Sequence, residues 1–377
     1  MNTQRKTITD AANIVKMKNY ANNIDKVVNS TKKDIVNTAK QYQNNSLASQ
    51  TGFVAEEVHI GSFNIDSALK RSSLKAVKEK NGFHGDYKIL DGEKVVSKGE
   101  FKHYSTAKKT ENAMRGYDDR DLIGPSDQVE DIQKIAKQRA MKNKITRPRV
   151  SKEHARVAKK VSDRIEKDGV KSKPKTLRQQ RKLTKNGTKG KVVTKELLPD
   201  FKESMRSSVY GGALEGAKNG AVFGGGMSAV SNIVDVVNGK KTKTEALKDV
   251  TIDTAKSVAD SAVKNAVGSA TKVASIHLAE KVGNEVAKKA LGSAAPIIVA
   301  TTLVETGKDL YLYANGEIDG EEVIKNTGRN VTTAGGAWAG AEAGASIGTL
   351  VGGPVGTIVG GIFGGVIGAL GVSALFD

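Results

Sequence analysis

An Asp-Gly pair between two alternating segments is the feature that most constrains how this chain can fold. The pair is Asp91-Gly92, and it is flanked by Tyr87–Leu90 and Lys94–Ser97, in which apolar and polar side chains alternate. Alternation with a period of two is typical of a half-buried β-strand, and Asp-Gly favours the tight turn of a hairpin. The sequence therefore predicts a β-hairpin within residues 84–104.

Three charged residues lie on the predicted strands of this hairpin. Asp86 is at the start of the incoming strand, and Glu100 and Lys102 are two positions apart on the outgoing strand, which points both to one face. Carboxylates are the hard oxygen ligands that Mg²⁺ prefers. A lysine beside them can orient an attacking water and offset the charge of a phosphate. The alternative interpretation is a surface hairpin whose charged side chains are simply solvated.

This arrangement resembles the PD-(D/E)XK nuclease superfamily, which has the restriction-endonuclease-like fold. The resemblance implies a Mg²⁺-dependent endonuclease, with Mn²⁺ as an alternative metal, in which Asp86 and Glu100 hold the metal and Lys102 assists the water. In this family a helix before the hairpin often carries a further glutamate that faces the metal. Glu56 or Glu57 takes that place here, which makes either one a candidate metal ligand.

The resemblance covers residues 46–142 and extends to the order of the predicted elements. In the family a helix and then a fourth strand usually follow the strand that carries the E-x-K motif, and Thr106–Met114 and Asp121–Pro125 fit this order. One departure is that the loosely kept proline before the metal-binding aspartate is absent, since this sequence has His84-Gly85 at that place.

Length and composition limit the number of domains and the kinds of chemistry that the chain can have. Its 377 residues favour two or three domains, while 38% hydrophobic and 5% aromatic residues are low for one large compact globule. The chain has no cysteine, which excludes disulfides, cysteine-ligated zinc and thiol catalysis. No apolar run typical of a signal peptide is visible at the start of the sequence.

The positive charge of the chain is concentrated in one segment. Lys134–Lys195 contains 23 Lys and Arg but only four acids, a balance that equals the net charge of +19 for the whole chain. Ser151–Lys167 is predicted to be a helix, and the residues after Asp168 have the composition of a flexible linker. Such a segment can bind phosphate polyanions without reading their sequence. An anionic membrane surface would attract it equally well. The remaining alternative is a linker whose charges are simply solvated. Nine residues are predicted to contact DNA: Lys70, Arg71, Arg147, Arg149, Lys159, Lys160, Arg178, Arg181 and Lys182.

Glycines recur every four residues in two parts of the C-terminal half. A spacing of four leaves a smooth groove along one side of a helix, where a second helix can approach closely. The first group carries Glu215 and Lys218 between its glycines, which favours an amphipathic or conditional role. The two groups are Gly212, Gly216, Gly220 and Gly224, and then Gly336, Gly340, Gly344, Gly348, Gly352, Gly356, Gly360, Gly364 and Gly368.

The second glycine group resembles the glycine-zipper segments of membrane-inserting and pore-associated bacterial proteins. No charged residue occurs from Ala343 to Phe376, and two helices are predicted, about Val331–Gly352 and Val355–Phe376. Helices of about 20 residues are long enough to cross a bilayer, so Gly340 to Gly368 are candidate membrane positions. The alternatives are a tightly packed soluble bundle and a hairpin that stays buried in its own domain until it is released.

Several segments are predicted without an assigned chemistry. Residues 1–45 have the thin apolar stripe of a helical arm, 64–78 is predicted as a second helical piece, and 244–291 as an alanine- and valine-rich helix. Three histidines in the hairpin region do not have the spacing of a zinc site, and structural or phosphate-contacting roles are expected for them: His59, His84 and His103.

These features predict an α+β fold made of four parts. They are a helical arm (1–45), a nuclease-like domain with a small mixed sheet (46–145), a basic linker (146–206) and an all-α glycine-zipper region (207–377). The predicted function is a DNA endonuclease with little sequence specificity, acting as a bacterial toxin or antiviral defence effector in the cytoplasm, at the inner membrane or after delivery into another cell. The alternative is a membrane-permeabilising protein, and expected partners are DNA, membrane, a second copy and an immunity or regulatory protein.

Overall fold

The computed structural model describes residues 3–79, 85–225 and 238–279, with a few single positions between 228 and 236 and at 317 and 322. The chain divides into two compact units, residues 24–204 and residues 1–23 together with 205–377. The fold is α+β, predominantly helical with a small mixed sheet, which agrees with the predicted class.

The first unit contains the predicted hairpin and begins within a long helix. That helix, α1, confirms the predicted N-terminal helical arm as a helix. The elements in chain order are α1 (Thr3–Gln41), α2 (Leu47–Leu69), β1 (Leu74–Lys78), β2 (Tyr87–Asp91), β3 (Lys94–Phe101), α3 (Ala107–Ala113), β4 (Asp121–Ile123), α4 (Val129–Lys142), α5 (Pro148–Lys160), β5 (Val161–Ser162), β6 (Glu166–Lys167), β7 (Val170–Lys171) and α6 (Leu177–Thr188).

Five strands form one mixed sheet in the order β1-β2-β3-β4-β5. β1, β2 and β3 pair antiparallel, whereas β3–β4 and β4–β5 pair parallel. The parallel register places Gly99 opposite Asp121 and Glu100 opposite Leu122. The loop before β4 therefore meets the strand that carries the E-x-K motif.

The predicted hairpin is confirmed, with its turn one residue later than the Asp-Gly pair suggests. Asp91 pairs with Lys94, so the two turn residues are Gly92 and Glu93. Gly92 has φ +60° at the first turn position, which is the conformation that glycine adopts without strain. The Asp-Gly signal thus located the hairpin but not its central residues.

The second helical piece predicted at 64–78 is wrong. α2 ends at Leu69, and Leu74–Lys78 is the edge strand β1, which pairs with β2. Leu74 and Ala76 are buried with Phe63 from α2 and Ile89 from β2 in one hydrophobic cluster. Tertiary burial of alternate side chains therefore overrides the helical preference of this lysine-rich segment.

The flexible linker predicted within 146–206 is also wrong, because this segment folds into α5, α6 and three short strands. β5 completes the main sheet by pairing with β4, so the sheet extends beyond the predicted boundary at residue 145. Thr176 and Gln179 form a capping box at the start of α6. A few apolar residues are enough to anchor the segment, and they are all buried: Val157, Val161, Ile165, Val170, Leu177 and Leu183.

The second unit contains the first glycine group. Its described helices beyond α1 are α7 (Phe201–Asn219), which continues as a π-helical turn over Gly220–Gly225, and α8 (Lys243–Ala279). A Cβ atom added to Gly216 would lie 2.0 Å from the carbonyl oxygen of Ser261, and one added to Gly220 would lie 2.3 Å from that of Ser257. Close helix approach along the first glycine group is therefore confirmed.

Buried polar groups surround this close contact. The amide of Asn13 in α1 donates to Ser261 Oγ at 2.9 Å, and Asn265 and Asn219 both donate to Asn13 Oδ1. None of the described helices is both long enough and apolar enough to cross a membrane. The second glycine group, from Gly336 to Gly368, and the two helices predicted over it lie outside the described residues, so the all-α zipper region stays a prediction.

Candidate active site

Glu100 and Lys102 lie on the same face of the chain at the end of β3, as their spacing predicts. Lys102 Nζ is 2.5 Å from Glu100 Oε1, and the Glu100 side chain is almost fully buried. The amide of Lys102 donates to the carbonyl oxygen of Ile123 at 2.9 Å, which extends the pairing between β3 and β4 by one residue. Backbone pairing on both sides therefore fixes this acid–lysine pair in place.

Arg120, in the loop before β4, supplies a second cation to the same carboxylate. Its Nη1 atom is 3.2 Å from Glu100 Oε2, so each oxygen of Glu100 has one cationic partner. The ring of Tyr117 lies 4.9 Å from Lys102 Nζ and 5.4 Å from the guanidinium carbon of Arg120. Sequence reasoning missed both residues, although Arg120 directly precedes a segment already predicted to be a strand.

Asp86 is held against β3 by its backbone and its side chain. Its amide donates to the carbonyl oxygen of Gly99 at 2.9 Å, and its Oδ2 atom accepts the amide of Phe101 at 2.8 Å. Gly85, just before it, has φ +109°, and a Cβ there would lie 2.7 Å from the Gly99 carbonyl oxygen. This close approach of Gly85 to the backbone of β3 requires glycine.

The pKa of Asp86 reflects its surroundings. Burial raises the pKa of this carboxyl and the charge of Glu100 raises it further, whereas the bond from the Phe101 amide and the charge of Lys102 lower it. Because Glu100 acts electrostatically on Asp86, the two predicted metal ligands share one acidic neighbourhood.

Glu56 and Glu57 project from α2 and share a cation from β1. Lys78 Nζ lies 2.8 Å from Glu56 Oε2 and 3.0 Å from Glu57 Oε1. Burial raises the pKa of Glu56 to about 7, since the lowering effect of Lys78 is smaller, and the charge of Asp86 adds to the increase. The charge of Asp86 therefore acts on Glu56, one of the two candidates named from the sequence.

The donor atoms of these residues fit a hard divalent cation, but the carboxylates are not gathered into a cage. Asp86 Oδ1 accepts no hydrogen bond from the described residues, which leaves one oxygen for a ligand. Within the described part of the chain, no three His, Cys, Asp or Glu residues form a group that could hold a metal ion. Mg²⁺ would therefore have to share Glu56 and Glu100 with the cations that contact them.

A second charged cluster is centred on Glu111 of α3, beside a separate hydrophobic core. Glu111 is completely buried, with His154 Nδ1 at 2.5 Å from its Oε1 atom and Arg139 bonded to its Oε2 atom. Met114, Leu122, Ile132, Ala136 and Val157 form the core beside it. An enclosed carboxylate of this kind joins α3, α4 and α5 and has a structural role.

The described histidines of the hairpin region are structural, as expected. The rings of His59 and His103 lie 6.1 Å apart, and burial lowers the pKa of each to about 3. Neutral His59 is hydrogen-bonded through Nδ1 to Ser172 Oγ at 3.0 Å. His84 lies outside the described residues.

Two of the predicted DNA-contacting residues, Lys70 and Lys160, form contacts within the protein. Lys70 Nζ is bonded to Asp66 at 2.8 Å and to Glu203 at 3.1 Å. Lys160 Nζ donates to the backbone carbonyl oxygens of Asp118 and Arg120, and it thereby fixes the loop that carries Arg120.

The other predicted DNA-contacting residues lie on helices or next to them. Arg71 follows α2 with φ +54°, Arg147 and Arg149 lie at the exposed start of α5, and Lys159 is exposed near the end of that helix. Three more lie on the outer side of α6: Arg178, Arg181 and Lys182.

No protein-family model, curated protein or solved structure matches this chain. The function is therefore inferred from the site itself. Its distinguishing property is a carboxylate just before β2 and a second carboxylate on β3 beside a lysine, with a third carboxylate on α2 on which the charge of Asp86 acts.

Proposed function

We propose that residues 24–204 form a Mg²⁺-dependent endonuclease that hydrolyses phosphodiester bonds of DNA with little sequence preference. One observation carries this proposal. Glu100 lies at the end of β3 and contacts Lys102, which directly follows this strand, and Asp86 is bonded to the backbone of the strand and acts electrostatically on Glu56. The order of α2, hairpin, α3 and β4 also follows the order that the resemblance to PD-(D/E)XK nucleases implies.

The carboxylates of Asp86, Glu100 and Glu56 would hold the metal. When bound, Mg²⁺, or Mn²⁺ in its place, polarises the phosphate and lowers the pKa of a coordinated water. The protein contributes fixed positions for its ligands, because Asp86 is bonded to the amide of Phe101 and Glu100 lies on a strand that pairs on both sides.

Lys102 would act as a cation rather than as a base. Burial lowers the pKa of its amine, but the contacts with Glu100 and Tyr117 outweigh this effect, so the pKa lies above its usual value. A lysine that stays protonated at neutral pH can orient the attacking hydroxide and offset the negative charge that develops on the phosphate. Arg120 adds a second cation at the same place.

Glu56 would bind the metal as a carboxylate. Because burial raises its pKa to about 7 in the metal-free protein, metal binding below neutral pH must displace a proton from Glu56. Glu57 also contacts Lys78 and lies beside Thr38 Oγ1 at 3.4 Å.

The biological setting that we propose is a bacterial toxin or antiviral defence effector. A nuclease of low specificity must be restrained in its own cell, which favours an immunity or regulatory protein as a partner. The cytoplasm, the inner membrane and delivery into another cell all suit a chain that contains a long uncharged glycine-rich segment, and this segment can also join two copies of the chain.

The second candidate function is membrane permeabilisation through the C-terminal glycine group. It is favoured by the close contact of Gly216 and Gly220 with α8, since this chain already uses glycines four residues apart to bring helices together. Replacing Gly356, Gly360 and Gly364 by leucine would abolish such an activity. The same replacement would leave DNA cleavage by the first unit unchanged.

Plasmid nicking by the full-length protein tests the proposed nuclease. Supercoiled DNA is incubated with the wild type and with Asp86→Asn, in Mg²⁺ or in EDTA, and Asp131→Asn on the exposed side of α4 serves as the control. We expect nicking in Mg²⁺ alone, retained in Asp131→Asn and reduced at least about 100-fold in Asp86→Asn. Folded wild-type protein that does not nick DNA with either Mg²⁺ or Mn²⁺ would contradict the proposal.

A further inference from the structure

One face of α6 carries a row of exposed cations. Four of them are four, three and four residues apart, a spacing that places them on the same side of a helix: Arg178, Lys182, Lys185 and Lys189. The row lines a groove of about 1170 Å³, to which Arg181 and the amide side chains of Gln179 and Asn186 also contribute. We call this surface the α6 groove.

The cations of the α6 groove differ from those of the candidate active site in their partners. Lys78, Lys102 and Arg120 each contact a carboxylate, whereas in the described part of the chain no carboxylate lies within ion-pair distance of the α6 row. Asp127 is the single acid that lines the groove, and its Oδ1 atom accepts the amide of Leu177 at the start of α6. The positive charges of the row are therefore not neutralised by ion pairs among the described residues.

The row is held rigidly by the opposite side of the helix. Leu177, Leu183 and Gly187 are buried, and a Cβ added to Gly187 would lie 2.9 Å from Cβ of Ala39 in α1. Gln50 of α2 also donates to Thr188 Oγ1 at 3.1 Å. Because the backbone under the row is fixed, little conformational entropy of the helix is lost when a ligand binds.

We propose that the α6 groove binds the phosphodiester backbone of nucleic acid without reading its sequence. From Arg178 to Lys189 the row is about 16 Å long, at 1.5 Å per residue, which is enough to follow several phosphates along a duplex. Gln179 and Asn186 add neutral hydrogen-bond donors for phosphate oxygens. Among the described residues, no aromatic ring lines the groove, and these residues therefore do not provide the stacking that single-stranded bases require.

An anionic membrane surface would be attracted to the same charges, but the shape of α6 does not favour it. Helices that lie on membranes bury their apolar side in the lipid. The apolar side of α6 is already used inside the protein, where Leu177 and Leu183 are buried. The exposed residues between the cations are polar, and the surface is a groove rather than a convex apolar face.

This inference deepens the proposed nuclease by assigning a place to its substrate, and it can be tested without cleavage. Binding of the full-length protein to a fluorescent 20-base-pair DNA duplex is measured by anisotropy in EDTA, over a range of salt concentrations. The test variant is Lys182→Gln/Lys185→Gln/Lys189→Gln. The control is Lys134→Gln/Lys137→Gln/Lys142→Gln on α4, where exposed lysines are mixed with Glu130 and Asp131.

We expect the α6 variant to bind duplex DNA at least about tenfold more weakly at 0.1 M salt, with the slope of log affinity against log salt reduced by about three. The α4 variant, which loses the same charge, is expected to bind like the wild type. A duplex of different sequence and an RNA duplex, measured in parallel, should be affected similarly if the shared backbone is recognised.

Equal losses in the two variants would overturn the inference, because net charge alone would then explain binding. Unchanged DNA binding by the α6 variant, together with reduced binding to vesicles containing phosphatidylserine, would overturn it in favour of a membrane surface. If nicking is absent but the α6 variant loses DNA binding, the nuclease proposal fails and the binding site remains. If nicking is present but both variants bind DNA normally, the nuclease proposal stands and the proposed binding site at the α6 groove fails.

Discussion

Two clusters, one at the end of β3 and one centred on Glu111 of α3, are similar in composition but differ in what surrounds them. Glu100 is contacted by Lys102 on one oxygen and Arg120 on the other, and Glu111 is contacted by His154 on one oxygen and an arginine on the other. A buried glutamate between two basic side chains is therefore not in itself a sign of function.

The two clusters differ in the residues that surround each glutamate and its basic partners. Glu111 is enclosed by an apolar core, and its cluster ties three helices together. Glu100 instead neighbours a further carboxylate, Asp86, whose pKa is raised first by burial and then by the charge of Glu100, and Asp86 in turn acts on Glu56. Carboxylates that repel one another are unfavourable in a purely structural cluster, but they are needed where a divalent cation binds.

The largest expected contrast comes from removing the charge of each glutamate in turn. Glu100→Gln should reduce nicking at least about 100-fold, because it removes a metal ligand. Glu111→Gln should lower the free energy of unfolding by about 3 kcal/mol, since Arg139 then loses its buried partner, while the folded protein keeps its activity. Urea unfolding and plasmid nicking measured on both variants check this.

Circular dichroism provides the control for that comparison, because Glu100→Gln also leaves two cations without their partner. Only the activity of the folded fraction is compared. A folded Glu100→Gln protein that nicks normally would contradict the catalytic role of Glu100. A folded Glu111→Gln protein that does not nick would contradict the structural role of Glu111.

A smaller effect is expected from pH, and it distinguishes the two adjacent glutamates of α2. Because the pKa of Glu56 is about 7, its ionised form increases from a minor to a major fraction between pH 6 and pH 8. At subsaturating Mg²⁺, nicking should therefore rise by about tenfold over this interval, as metal binding needs the ionised form.

The matched variants for the pH experiment are Glu56→Gln and Glu57→Gln, since both residues contact Lys78. Glu56→Gln should flatten the pH dependence, and Glu57→Gln should preserve it. If nicking rises identically with pH in both variants, the pH dependence comes from water or from another group and not from Glu56.

The sequence predicted the parts of this site that depend on local periodicity. A period of two is enough to place Glu100 beside Lys102, and Gly92 is enough to locate the hairpin that brings Asp86 next to β3. The choice between Glu56 and Glu57 could not be made, because neighbouring positions on a helix differ only in what they meet after folding. After folding, the charge of Asp86 acts on Glu56.

Long-range pairing explains what the sequence could not predict. Arg120 reaches Glu100 only because β4 pairs parallel with β3, a register that no local pattern encodes. The α6 row was assigned to a flexible linker because apolar residues are sparse there. Leu177 and Leu183 are nevertheless sufficient, since they pack into a core that distant elements complete.

Metal binding to the purified full-length protein is the most direct test of the central claim, that the Glu100 cluster is a catalytic metal site and the Glu111 cluster is not. Isothermal titration calorimetry with Mn²⁺ is carried out on the wild type, Glu100→Gln and Glu111→Gln at pH 8. We predict that the wild type and Glu111→Gln bind with similar affinity, and that Glu100→Gln binds at least about tenfold more weakly. Equal binding by all three proteins, or no binding by folded wild type, would contradict the claim.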